Sequence, residues 1–546
     1  MKIIKSIGIS LLTFVLGLAS CEDILTVDSS RYTTVDENTL TSPNDSVSSI
    51  LGLLSGLQDI GERYILLGEM RADLLDVTDF TSAGIRELSN FTVSDTSVYA
   101  DSRDYYAIVN NCNYLISRTS DDNSPLKKEN ALAHAIRAWT YMQIVFNWGK
   151  ASYFTEPLLS VNDTQKEFPE YTIPELSTAL IADLEPLVGA DYPNYGTIYE
   201  FESSELFFPV EVLLGDLYLW RGASTDDYAT AARYYAEYID RKTLGNRVST
   251  PSAAWEYIYF TSHIESRRNG WSRETVAQTG NSELVTAIQM ATDVSEGKVN
   301  NLQTNYREFA ISKVMEDLWD DQSYVLHYIP ATGSASNYFT TGDLRKWANV
   351  PGTIRMVNAA NESFLFPYLY KIFNAYHFQI YRLGLLYLRY AEAMNRAGYP
   401  HIAFAVLKYG LSPLTLADAT RIPPDELAAA ETLVSVFNTE KFTTAIGVHA
   451  RGCGDTAYNP YYTIAKEGEI LESPDDTIRR VEDLICTELA LETSFEGNRF
   501  QDLMRFALRR NDPAFLAKQV ASKHEDDYNR IYNWLLNKEN WYLPHP

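Results

Sequence analysis

The chain has 546 residues, 45% of them hydrophobic, and a formal charge of −26 at neutral pH. That charge disfavours nucleic-acid binding, which is driven by phosphate neutralisation, and electrostatic attachment to anionic lipid. The length allows one large domain or two to four ordinary ones, and the four cysteines, with no CxxC pair, imply neither a disulfide framework nor a zinc site.

At the start, Lys2 and Lys5 precede an apolar run from Ile7 to Ala19 that is too short to span a bilayer and suits a signal h-region. It ends in Leu18-Ala19-Ser20-Cys21, which resembles a bacterial lipoprotein signal. In that reading residues 1–20 are removed and Cys21 is acylated. Each buried methylene contributes about 0.8 kcal/mol, so more than one acyl chain gives a stable anchor. Glu22 and Asp23 resemble the acidic export signal of surface lipoproteins in Bacteroidetes. Residues 21–48, rich in small polar and acidic side chains, are expected to be a tether. No later stretch reaches the ~18 apolar residues of a transmembrane helix.

Helical periodicity then predicts four helix pairs. Tyr105, Ile108, Val109, Cys112, Leu115 and Ile116 mark one face, and a partner runs from Ala131 to Phe146. The second pair is Leu206 to Trp220 with Tyr228 to Ile239, where Leu214-Gly215-x-x-Tyr218 and Ala231-x-x-x-Tyr235 fit the small and aromatic positions of a tetratricopeptide repeat. A third pair is Tyr381 to Arg396 with His401 to Tyr409, and the fourth is Val481 to Leu491 with Asn498 to Leu508. Together they predict an α-solenoid scaffold over about 100–240 and 381–510. Residues 241–380 and 410–480 interrupt it with irregular, turn-rich sequence, the expected place for a binding lobe on one single domain over 49–546.

Aromatic residues make up 13% of the chain, most at helical spacing and so core. In the irregular lobe Trp255, Tyr257, Tyr259, Trp271, Tyr338, Phe339 and Trp347 lie among small polar residues, and the loops around Phe80 and Tyr99 add to one rim. Flat rings of this kind stack on the less polar faces of sugars, with amides and carboxylates serving the hydroxyls. For any single ring, packing of the lobe's own core is the commoner role. Catalytic patterns are missing: the eight histidines are scattered without HExxH, and neither a P-loop nor a GxSxG elbow occurs. Glu496, Arg499, Asp502 and Arg505 have the helical spacing of a structural ion-pair network. Asp73, Asp76 and Asp79 lack the glycine and terminal glutamate of an EF-hand and read as a solvated acidic turn rather than a calcium site. No cofactor is expected. Gly447 to Asp455 is glycine-rich, suited to a close ligand approach or to a tight turn. Cys112, Cys453 and Cys486 read as small buried residues, with one disulfide allowed in an oxidising compartment.

Several segments, taken in order, resemble the SusD/RagB family of nutrient-binding outer-membrane lipoproteins. They are the lipobox, Gly68-Glu69-Met70-Arg71-Ala72-Asp73, Arg137-Ala138-Trp139-Thr140-Tyr141 followed by Asn147-Trp148-Gly149, Leu388 to Gly398, Phe495 to Arg505, and Asn540-Trp541-Tyr542-Leu543-Pro544. The resemblance implies a mainly α, SusD-like fold: four tetratricopeptide-like helix pairs carrying a loop-rich lobe with a few short strands. It also implies a lipid-anchored, surface-facing capture protein that passes a glycan, or alternatively an oligopeptide, to a SusC-like TonB-dependent β-barrel. These are scaffold motifs, so no ligand-binding residue transfers from them.

Overall fold

The computed structural model describes residues 43–120, 124–242, 283–328, 336–442, 447–454 and 459–544. Cys21, most of the tether, Trp255, Tyr257, Tyr259 and Trp271 lie outside the described residues. The scaffold helices are α1 (Pro43–Glu69), α2 (Arg103–Thr119), α3 (Lys127–Trp148), α4 (Ile173–Leu184), α5 (Val210–Arg221), α6 (Thr225–Lys242), α7 (Leu383–Arg396), α8 (Pro400–Lys408), α9 (Pro474–Glu492), α10 (Arg499–Arg510), α11 (Pro513–Ala521) and α12 (Tyr528–Leu535). All four predicted pairs are present, as α2/α3, α5/α6, α7/α8 and α9/α10. Helix α1 starts within the stretch read as tether. Its buried Ile50, Leu53, Leu57, Ile60, Tyr64 and Leu67 alternate at three and four residues, which places one continuous stripe against the core.

Close approach sets the pair geometry. A Cβ on Gly215 of α5 would lie 2.6 Å from the Tyr235 ring of α6, so only glycine lets these helices meet there. The Tyr235 hydroxyl donates to buried Asp216 at 2.5 Å, and Tyr381 donates to the other oxygen of the same carboxylate at 2.6 Å.

Among the described residues, eight strands of three residues or more carry the rest: β1 (Leu75–Val77), β2 (Leu284–Gln289), β3 (Phe309–Ile311), β4 (Ser323–Tyr328), β5 (Ser336–Thr341), β6 (Thr353–Val357), β7 (Ser363–Pro367) and β8 (His377–Arg382). They pair antiparallel as β1 with β3, β2 with β8, β4 with β5 and β6 with β7. The β2/β8 ribbon is the base of the lobe. Nearly every residue in it is buried, Phe378 packs against Gly61 of α1, and β8 runs directly into α7. The chain between β2 and β8 is thereby held by the scaffold at both ends.

A buried ion-pair network links the halves of the chain. Arg499 of α10 binds Asp73 after α1, and Arg505 binds Glu392 of α7 and Asp502 of its own helix, all at most 5% exposed. Arg345 takes Asp343, Glu488 and Glu492; Arg382 takes Glu283, Glu492 and Glu496. The cluster at 496–505 is therefore structural, as its spacing predicts. Asp73 is the exception to the solvated acidic turn, because it is buried as the partner of Arg499. Gly447 to Gly454 turns tightly inside the protein: a Cβ on Gly447 would lie 2.0 Å from the Leu407 carbonyl oxygen, and one on Gly452 2.0 Å from Asp343. Cys112, Cys453 and Cys486 are buried and unpaired with one another. No helix among the described residues is long and apolar enough to cross a membrane.

Candidate ligand-binding site

The turn after β1 is built by its own hydroxyls. The Thr78 amide donates to Thr81 Oγ1 at 2.7 Å and the Phe80 amide to Thr78 Oγ1 at 3.0 Å, which fixes a polar turn with Phe80 projecting from it. Residues 306–308 of the lobe latch onto this turn. Thr78 Oγ1 donates to the Arg307 carbonyl at 2.5 Å, Thr81 Oγ1 to the Glu308 carbonyl at 2.7 Å, and the Ser82 amide to the Glu308 carboxylate at 3.0 Å.

Phe80 is 38% exposed. Its ring stands edge-on to Phe364 (5.2 Å, 81°) and Phe366 (5.5 Å, 79°) of β7, and Phe366 meets Tyr306 at 5.8 Å. Edge-to-face contacts of this kind help hold the Phe80 ring in place. Phe364 and Tyr306 are half-buried and Phe366 is buried, so the cluster grades from a packed floor to an exposed rim. Exposed Arg307 reaches Met356 on β6 and lies beside it.

Tyr99 belongs to the same neighbourhood. Its ring lies against Gly84, in the helix Ala83–Asn90 that follows the turn, where a Cβ would come to 3.0 Å of it. Burial pushes its hydroxyl up to about 12, and the negative charges of Glu308 and Glu62 add to the rise. Glu308 therefore binds the turn bearing Phe80, and its charge acts on the Tyr99 hydroxyl. Aromatic faces, exposed hydroxyls, a carboxylate and a guanidinium converge here, a set suited to a ligand with apolar faces and many hydroxyl or amide groups.

Of the sequence-predicted rings, Phe80 stands on the turn after β1, and Tyr99 lies against Gly84 four residues further along. Phe339 belongs to a second patch: on β5, 39% exposed, it meets Tyr461 of the second irregular stretch edge-on at 5.6 Å, and Tyr461 is 73% exposed. Trp347, in the short helix Arg345–Asn349, shows 36% of its surface, and its neighbour Lys346 lies over Trp319. Tyr338 is on β5 in register with Leu326. Trp271 lies outside the described residues. Tyr306, Glu308, Phe364 and Phe366 escaped the sequence reading. Ser363-Phe364-Leu365-Phe366 carries a period-two alternation that marks a strand with one aromatic face, and Leu365, 66% exposed, is its outer side.

No protein-family model and no curated protein matches the chain. Solved structures do. A SusD superfamily protein from Bacteroides vulgatus superposes with a TM-score of 0.53 at 13% identity, covering 92% of this chain and 96% of its own. A SusD superfamily protein from Bacteroides thetaiotaomicron gives 0.51 at 14% identity, covering 87% and 89%. NanU from B. fragilis gives 0.50 at 16% identity, covering 90% and 94%. The chain therefore has a mainly helical, SusD-like fold.

Proposed function

We propose, from the SusD-superfamily fold as premise, that this protein is a non-enzymatic nutrient-capture lipoprotein of the outer membrane, binding a neutral glycan at the Phe80 cluster. Cys21 carries the acyl anchor, the tether lets the body face outward, and the captured oligosaccharide passes to a SusC-like TonB-dependent barrel. The observation that carries the ligand reading is the graded cluster of Phe80, Phe364, Phe366 and Tyr306 beside Glu308. In this reading the exposed part of Phe80, 38% of its surface, meets the apolar face of a sugar while the carboxylate and Arg307 serve hydroxyls. The strong negative charge of the chain disfavours uronate-rich polymers.

Oligopeptide capture is the second reading; it relies on backbone donors and acceptors more than on stacking. Calorimetry of the mature chain against neutral glycans, acidic glycans and mixed oligopeptides tests both. Binding of a neutral glycan that weakens on Phe80→Ala supports the proposal. Binding of peptides alone replaces glycan by peptide. Cleavage of either ligand, lost on a single carboxylate substitution, overturns the non-enzymatic role.

A further inference from the structure

A cavity of about 850 Å³ shares no residue with the Phe80 cluster. It opens between the end of α3, the first turn of α4, the end of α10 and the C-terminal segment. Four of the chain's nine tryptophans line it: Trp148, Trp220 and Trp541 are buried, and Trp534 stands at the mouth, 46% exposed. The indole N–H groups of Trp148 and Trp541 are already used on the Ala100 and Leu535 carbonyls, so neither is free to bind a ligand.

Two arginines complete the wall, and neither has a carboxylate within ion-pair distance. Arg71 is 1% exposed, donates only to neutral acceptors (the Leu67 and Trp541 carbonyls and the Asn147 amide oxygen) and rests over the Phe500 ring at 4.4 Å. Every other buried arginine among the described residues has an aspartate or glutamate partner. Arg509, half-buried, donates to the Gly222 carbonyl, and its Nε has no hydrogen-bond partner. The cavity's acids, Glu170 and Glu539, are exposed on its rim, where Glu170 pairs with Lys150. Burying a cation without a counter-charge is costly. Burial pulls the Arg71 guanidinium down to about 9. An anion entering the cavity would relieve that cost.

We propose that this cavity is a second ligand site, for a small organic anion: a flat apolar body resting on Trp534 at the mouth, with one carboxylate or sulfonate directed at Arg509, in front of a wall formed by the buried Trp148, Trp220, Trp541 and Arg71. The volume lies within the range of small-molecule sites, about 300–1,000 Å³.

The test titrates the full mature chain with anilinonaphthalene sulfonate, using indole acetate as competitor and tryptamine as its cationic counterpart. The expected result is saturable fluorescence, displaced by indole acetate and not by tryptamine. Trp534→Ala and Arg509→Gln should each weaken binding about tenfold, with unchanged melting temperatures showing that both variants are folded. Arg71 is left intact because it also ties the C-terminal segment to α1. Three outcomes overturn the proposal: no saturable binding below about 1 mM, equal competition by tryptamine, or binding that neither variant changes. Glycan binding measured on Trp534→Ala should match the wild type, so this site and the Phe80 site fail separately.

Discussion

Arg499 Nε and Nη2 donate to the two oxygens of Asp73 at 2.7 Å each, a fork-to-fork pair joining α10 to the segment after α1 across most of the chain. Both side chains are buried. Breaking a buried pair leaves one charge without compensation, at a cost of about 3–5 kcal/mol. Asp73→Asn and Arg499→Met should each lose stability on that scale in denaturant titrations while leaving ligand affinity per folded molecule unchanged. A selective loss of affinity with full stability would restore a functional role to this cluster.

Two buried glutamates give opposite pH responses. Burial raises the Glu69 carboxyl to about 7, although the Gly497 amide donates to it. Its folded-state value is thus above the unfolded one, so its contribution is fully present below about pH 4.5 and is lost as pH rises through 7, about 3 kcal/mol in all. Burial also pushes Glu392 up, but Arg505 and Arg396 outweigh it and hold the group down to about 2. That contribution is present above about pH 4.5 and is lost as pH falls toward 2. Glu69→Gln should flatten the alkaline limb of the stability profile and leave the acid limb intact. Unfolding free energies at pH 5 and pH 8 for both proteins decide it.

Two glycines of one helix should respond with opposite signs. A Cβ on Gly68 would lie 1.9 Å from the Gly497 carbonyl oxygen, a backbone atom with no room to yield, whereas one on Gly52 meets nothing within 4 Å. Gly68→Ala should destabilise by several kcal/mol, about the scale of overpacking or more. Gly52→Ala should stabilise by about 0.5–1 kcal/mol through helix propensity. Thermal melts of the two variants check both signs.

Ligand binding should separate the aromatic patches. Phe80→Ala should cost about 1 kcal/mol of glycan affinity, the scale of one aromatic contact. Phe339→Ala and Trp347→Ala, on separate parts of the lobe, should cost less. Calorimetry with the tightest-binding glycan ranks them, and a larger loss at Trp347, Phe339 or Trp271 would move the site there.

The helices of the pairs are legible because each is encoded within about twenty neighbouring residues. Tyr105 to Ile116 and Tyr381 to Arg396 repeat their apolar side chains at helical spacing whatever surrounds them. Helix α1 carried the same signal from Ile50 to Leu67, but its first turns, Pro43 to Ser48, are polar and read as tether. Helix α12 is only eight residues long, and its buried Ile531 and Leu535 are too few for a period. Phe80 and Tyr99 read as rim residues because aromatic rings among polar turn residues are unusual. Phe364 and Phe366 were missed because two rings on a five-residue strand look the same whether they face a core or a ligand.

By itself, then, the sequence determined the helical scaffold, the net charge and the Asp502–Arg505 pair, since periodicity, composition and i to i+3 spacing are local, while Glu496 and Arg499 found distant partners in Arg382 and Asp73. Tertiary structure alone decided which aromatics share a surface. Phe80 meets Phe364 only because β1 pairs with β3, and the lobe between β2 and β8 folds back over the turn after β1. It also decided that Arg71 stands without a carboxylate beside four tryptophans, because a counter-charge is a matter of distance and no pattern along the chain records it.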